Sequence, residues 1–139
     1  MDKNIQPTES LILFLTPIAQ GVLALIIGVV GMLMAKIIGT ESYFIFIFSF
    51  VAIVFYSLIN NILSLFHTSL KKYTYPSWAI FIILIVVLLL GARVLTGESI
   101  QEHKEFIKIL MSVGLFYFLL SFMMRIIKAM WEFAENDEN

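Results

Sequence analysis

Apolar stretches alternate with short charged segments along the chain. Four runs carry no Asp, Glu, Lys, Arg or His: Ser10–Ala35, Ser42–Phe66, Tyr73–Ala92 and Ile109–Met124. They are 26, 25, 20 and 16 residues long. An α-helix rises about 1.5 Å per residue, so about 20 residues cross a hydrocarbon core of about 30 Å. The first three runs meet that length. The fourth is short, but Lys108 and Arg125 flank it, and long cationic side chains reach from the hydrocarbon edge to the headgroups. The pattern predicts helices over 10–37, 42–68, 77–95 and 100–131, with an acidic tail over 132–139 that is expected to fray. The fold class is all-α: one domain forming a polytopic four-helix transmembrane bundle of two hairpins, with helix four extending beyond the bilayer.

The residues between the runs fit helix ends. Gly39 and Gly97 suit C-caps, and Pro76 suits the first turn of helix three. Ser99-Ile100-Gln101-Glu102 has the spacing of a capping box. The first turn, Ala35-Lys36-Ile37-Ile38-Gly39-Thr40-Glu41-Ser42, resembles the third, Ala92-Arg93-Val94-Leu95-Thr96-Gly97-Glu98-Ser99, at a constant offset. Either a hairpin is duplicated in parallel, or both turns obey the same capping grammar.

Each helix face predicts a different role. In helix one, Gly21, Ala24, Gly28, Gly31 and Ala35 fall on one narrow stripe, where small residues let backbones approach closely. The stripe suits a groove for another helix of the chain, or an interface with a second copy or a partner subunit. Gln20 sits at its edge. Helix two has a polar side of Ser57, Asn60, Asn61, Ser64, His67 and Thr68, and an opposite side of Phe44, Phe48, Val51, Phe55, Ile59, Ile62 and Phe66 that is expected to meet lipid. An unpaired amide in hydrocarbon costs several kcal/mol. The polar side is therefore interhelical glue or the lining of a water-filled vestibule. Helix three is featureless from Ala79 to Leu90 and is expected to be the most peripheral. Helix four aligns Gly114, Tyr117, Ser121, Arg125 and Lys128. Tyr117 and Ser121 are in register to meet Asn60 and Asn61, while Arg125 and Lys128 suit lipid headgroups.

Composition sharpens this picture. The chain is 60% hydrophobic and 14% charged, against about 25% charged for a soluble domain. That excludes a soluble enzyme, a nucleic-acid-binding domain and a disordered tail. The net charge is -1. With no cysteine, disulfides, thiolate metal sites and Cys-linked lipid are ruled out. The first apolar run exceeds the hydrophobic stretch of a cleaved signal peptide and is read as a retained span. Four spans place both termini on one side. Lys3, Lys71, Lys72, Arg125 and Lys128 fall there, against Lys36, Arg93, Lys104 and Lys108 opposite, which favours cytoplasmic termini by a narrow margin.

Chemistry is sparse. No Asp, Glu, Lys, Arg or His lies within the four runs, which argues against a proton-coupled carrier. His67 and His103 fall at opposite faces, too far apart to share a metal or haem. Glu98, Glu102 and Glu105 read as a solvated face. No catalytic, metal or cofactor site is expected, and no family signature is legible. The function expected is a small non-catalytic accessory or scaffold subunit of a membrane complex or homo-oligomer, its partners being the lipid bilayer and further copies or other membrane subunits, with no nucleic acid. The alternative is a small oligomeric channel or membrane-permeabilising effector with a polar path along helix two.

Overall fold

The computed structural model describes residues 16–66 and 70–138. The chain forms four long helices: α1 (Pro17–Ile38), α2 (Ser42–Ser64), α3 (Leu70–Thr96) and α4 (Lys104–Asp137), with a 3-10 turn at Ile100–Glu102 before α4. Each of the four is long and apolar enough to span a membrane. They run up and down in sequence. Two contacts across the first and third turns place those turns together at one end of the bundle: the Lys36 ammonium donates to the Leu95 carbonyl, and the Ser42 hydroxyl donates to Glu98 Oε1 at 3.2 Å.

Local chemistry sets the helix ends. Thr16 Oγ1 accepts from the Ala19 amide, and Pro17 occupies the first helical position, where a missing N–H leaves nothing unsatisfied. Helix one therefore starts at Pro17 rather than at residue 10; positions 10–15 lie outside the described residues. Gly39 and Gly97 close α1 and α3 with φ of 77° and 74°, in the left-handed region that costs glycine no Cβ clash. Thr40 and Thr96 both return their hydroxyls to alanine carbonyls, Ala35 and Ala92, so the matched turns also share a hydrogen-bonding device.

Further boundaries differ from the sequence reading. Helix two ends at Ser64 rather than 68; His67 and Thr68 lie outside the described residues. Helix three begins at Leu70, six residues before Pro76, which sits inside the helix. The proline removes one helical hydrogen bond and crowds the preceding turn. Tertiary contacts of Tyr73 and Ser77 hold that turn helical nonetheless. Helix four is broken at its start. The Ser99 hydroxyl accepts from Gln101 N at 3.1 Å, capping a 3-10 turn rather than closing a box with Glu102. Backbone at His103 leaves helical geometry, and α4 then runs without interruption through the expected tail to Asp137.

Helices α1, α2 and α3 pack against one another, and α4 lies chiefly on α2. Peripherality is thus opposite to expectation. Helix α3 buries Tyr73, Ser77, Phe81, Leu84, Leu88 and Ala92 along one face, while α4 buries only Phe106, Val113 and Tyr117. A run of one residue class hides its buried side from sequence, because no polar residue marks the other. The aromatic side of α2 points outward at Phe44, Phe48, Val51, Ile62 and Phe66, whereas Phe46 and Phe50 turn inward. Phe106 of α4 stacks on both of these rings at 5.5 and 5.3 Å.

The small-residue stripe is used within the chain. A Cβ at Gly21 would collide with Ile80 Cγ2; at Gly28 it would lie 2.7 Å from Leu88 Cδ2 and 2.9 Å from Ala52 Cβ; at Gly31, 2.7 Å from Phe48 Cδ1. Ala24 and Ala35 are buried with them. The stripe forms the groove that receives α2 and α3. Gly114 of α4, by contrast, faces open space.

Candidate functional site

The polar side chains of the interior converge near the end of the bundle opposite the turns, and all four helices contribute. Gln20 comes from α1, Asn60 from α2, Tyr73 and Ser77 from α3, and Tyr117 from α4. All five are buried. Asn60 is the hub. Its Nδ2 donates to Gln20 Oε1 at 2.9 Å and to Ser77 Oγ at 3.0 Å. Its Oδ1 accepts from the Tyr117 hydroxyl at 3.1 Å. Tyr73 closes the ring: its hydroxyl accepts from Gln20 Nε2 at 3.0 Å and donates to the Asn60 backbone carbonyl at 2.9 Å. Ser77 Oγ donates to the Tyr73 carbonyl one turn back, at 2.7 Å. An amide carries two donor hydrogens and two acceptor lone pairs. At Asn60 both hydrogens and the carbonyl oxygen are engaged, each on a different helix.

A second arm runs along α2 toward α4. Asn61 Nδ2 donates to the Ser57 carbonyl at 2.7 Å, and its Oδ1 accepts from Ser121 Oγ at 2.8 Å. The Ser64 hydroxyl returns to the Asn61 carbonyl. Tyr117 and Ser121 thus meet the two amides that their spacing on helix four suggests. Below this layer the rings pack closely. Tyr117 stacks on Phe81 with centroids 4.0 Å apart and planes at 14°, and the Tyr56 hydroxyl donates to the Ser77 carbonyl at 3.0 Å.

The space left is small. A cleft bordered by Asn60, Asn61, Ser77, Trp78, Ser121 and Arg125 encloses about 10 Å3, room for about one water molecule. The Arg125 guanidinium lies 5.5 Å from the centre of the Trp78 ring, a cation–π distance, and forms the outer rim. Lys128, one turn on, is half-buried. Two buried polar atoms, Ser57 Oγ and Trp78 Nε1, have no hydrogen-bond partner among the described residues.

At the opposite end a different group joins the turns. Glu98 Oε2 lies 2.6 Å from His103 Nε2 while Glu98 Oε1 accepts from Ser42. The imidazole rests between Phe46 and Phe106, at ring distances of 5.4 and 5.6 Å. Glu98 and His103 therefore fasten the first turn to the third and to the start of α4. Ser42 spends its hydroxyl on this staple; the N-cap position of α2 belongs to Glu41, whose side chain makes no capping bond. Among the described residues, no three His, Cys, Asp or Glu side chains come together.

Sequence reasoning missed Tyr56, Tyr73 and Ser77. Tyr56 lies inside an aromatic run. The other two fall in a segment that Pro76 marks as a helix start. The available signal was helical spacing, since Tyr73, Ser77, Phe81 and Leu84 repeat at intervals that share one face.

No family model, curated protein or solved structure matches the chain.

Proposed function

We propose that this chain is a multi-pass integral membrane protein without catalytic activity, serving as an accessory or scaffold subunit of a membrane complex or of a homo-oligomer. The observation that carries the reading is where the polar side chains are spent. Gln20, Asn60, Asn61, Tyr73, Ser77, Tyr117 and Ser121 bond to one another or to backbone between helices. Such bonds join helices where lipid supplies no hydrophobic drive for their association. The apolar outer surface, with Val22, Ile26, Leu33, Ile82, Val86 and Leu115 among many exposed aliphatics, suits acyl chains.

The membrane reading follows from the four long apolar helices and from the cost of leaving such a surface in water. The termini are proposed to be cytoplasmic on the five-to-four excess of Lys and Arg. Against a channel or permeabilising effector stands the burial of Ser57, Asn60, Asn61 and Ser64 inside their own chain. A polar path between protomers would need those side chains on an outer face. Partner subunits would instead meet the broad apolar flank of α4. Purification in a mild detergent, with weighing of the particle and identification of the chains in it, tests the scaffold reading. A homo-oligomer or a defined heteromeric complex is expected; a bare monomer with no companion in membranes of its source would contradict it.

A further inference from the structure

Away from the polar cluster, a cleft of about 330 Å3 opens between the last turns of α3 and the 3-10 turn. Its lining changes character along the bundle axis. Val86, Leu89 and Leu90 form the wall within the apolar span, and Arg93, Ser99 and Gln101 form the wall beyond it. Among the described residues, no carboxylate pairs with Arg93. Of the acids at this end, Glu98 holds His103 and Ser42, Glu105 holds Lys108 at 3.5 Å, and Glu102 of the 3-10 turn makes no ion pair with Arg93. Arg93 is exposed at the rim, with a planar fork of donors that matches a phosphodiester.

We propose that this cleft holds one anionic phospholipid. Its phosphodiester lies against the Arg93 guanidinium, the Ser99 hydroxyl and the Gln101 amide supply further hydrogen bonds, and an acyl chain follows Val86, Leu89 and Leu90. Two features select this occupant. The Arg93 guanidinium, with no ion-pair partner among the described residues, calls for an anion, and the apolar wall directly below it calls for a hydrocarbon chain covalently joined to that anion. A free phosphate would use only the upper wall. The inference rests on the membrane reading proposed above.

The test uses full-length protein in nanodiscs of mixed phosphatidylglycerol and phosphatidylcholine, released for native mass spectrometry. Wild-type protein is expected to retain phosphatidylglycerol in preference to phosphatidylcholine. Arg93→Gln is expected to lower that preference about fivefold, the factor one cation near an anionic surface supplies, and Arg93→Lys to lower it less. Lys108→Gln, at the same end but outside the cleft, is expected to keep it. Circular dichroism and thermal unfolding confirm that each variant is folded. Equal retention of the two lipids by wild-type protein, or equal losses in Arg93→Gln and Lys108→Gln, would overturn the site. Displacement of phosphatidylglycerol by millimolar inorganic phosphate would also overturn it, by showing that only the anion is recognised. Protein that does not enter nanodiscs at all would refute the membrane reading instead.

Discussion

Asn60→Leu removes the hub of the interior cluster while nearly keeping side-chain size. The change deletes three principal bonds to other helices, to Gln20 Oε1, to Ser77 Oγ and from the Tyr117 hydroxyl, together with a longer shared contact to the Tyr73 hydroxyl at 3.2 Å. Interhelical hydrogen bonds in membranes average about 0.6 kcal/mol, with a ceiling near 1.7. The expected loss is therefore about 2 kcal/mol and at most about 5. Tyr117→Phe deletes one of these bonds and leaves the ring on Phe81, so it should cost about 0.6 kcal/mol. The two changes share a bond and must not add. Once Asn60 is leucine, the Tyr117 hydroxyl has lost its acceptor, and Tyr117→Phe should cost nothing or give a small gain. The assay is reversible unfolding in mixed micelles, titrated with a denaturing detergent and followed by circular dichroism, for wild type, both single variants and the double variant. Wild-type stability in Asn60→Leu, or the same cost for Tyr117→Phe in both backgrounds, would refute the cluster as helix-joining glue.

Other outcomes follow from the same packing. Ser57→Ala should be neutral or stabilising by about 1 kcal/mol in the same titration, because the buried Ser57 hydroxyl has no partner to lose among the described residues. Gly28→Ala should destabilise by about 1–3 kcal/mol through overpacking against Ala52 and Leu88. Gly114→Ala, which meets no atom within 4 Å, should be neutral or gain up to about 1 kcal/mol from helix propensity; equal effects at the two glycines would contradict the groove. The chain has no native cysteine, so Thr40→Cys, Gln101→Cys and Glu138→Cys can be labelled singly on intact cells with an impermeant thiol reagent. The first two should label as one class and the third as the other, and a single class for all three would overturn the four-span topology.

Much of this arrangement is legible in the chain, and the exceptions have physical causes. The stripe from Gly21 to Ala35 is readable because small residues at helical spacing leave a continuous groove, yet spacing alone does not say whether the groove takes a helix of the same chain. Contacts with Ile80, Leu88 and Phe48 answer that. The meeting of Tyr117 with Asn60 and of Ser121 with Asn61 was readable because polar residues are scarce enough in these runs to need each other. The α3 share of the cluster was not. Pro76 is a strong local signal for a helix start, and it is overridden by hydrogen bonds that Tyr73 and Ser77 make to residues distant in sequence. The start of helix four was misjudged for a related reason: Ser99 and Glu102 have capping-box spacing, but the Glu98–His103 pair ties the segment to the turn and delays the α-helix to Lys104. The expected peripheral place of helix three failed because an all-apolar face offers sequence no contrast between a neighbour and lipid.

The central claim is that the buried amides join helices and line no path for water. Ion flux into liposomes, measured for wild type and for Asn60→Leu combined with Asn61→Leu at matched protein density, tests it most directly. No flux above empty liposomes is expected from either protein, with the double variant showing only lower stability. Wild-type flux that the double variant abolishes while remaining assembled would contradict it and make the stripe on α2 a conducting path.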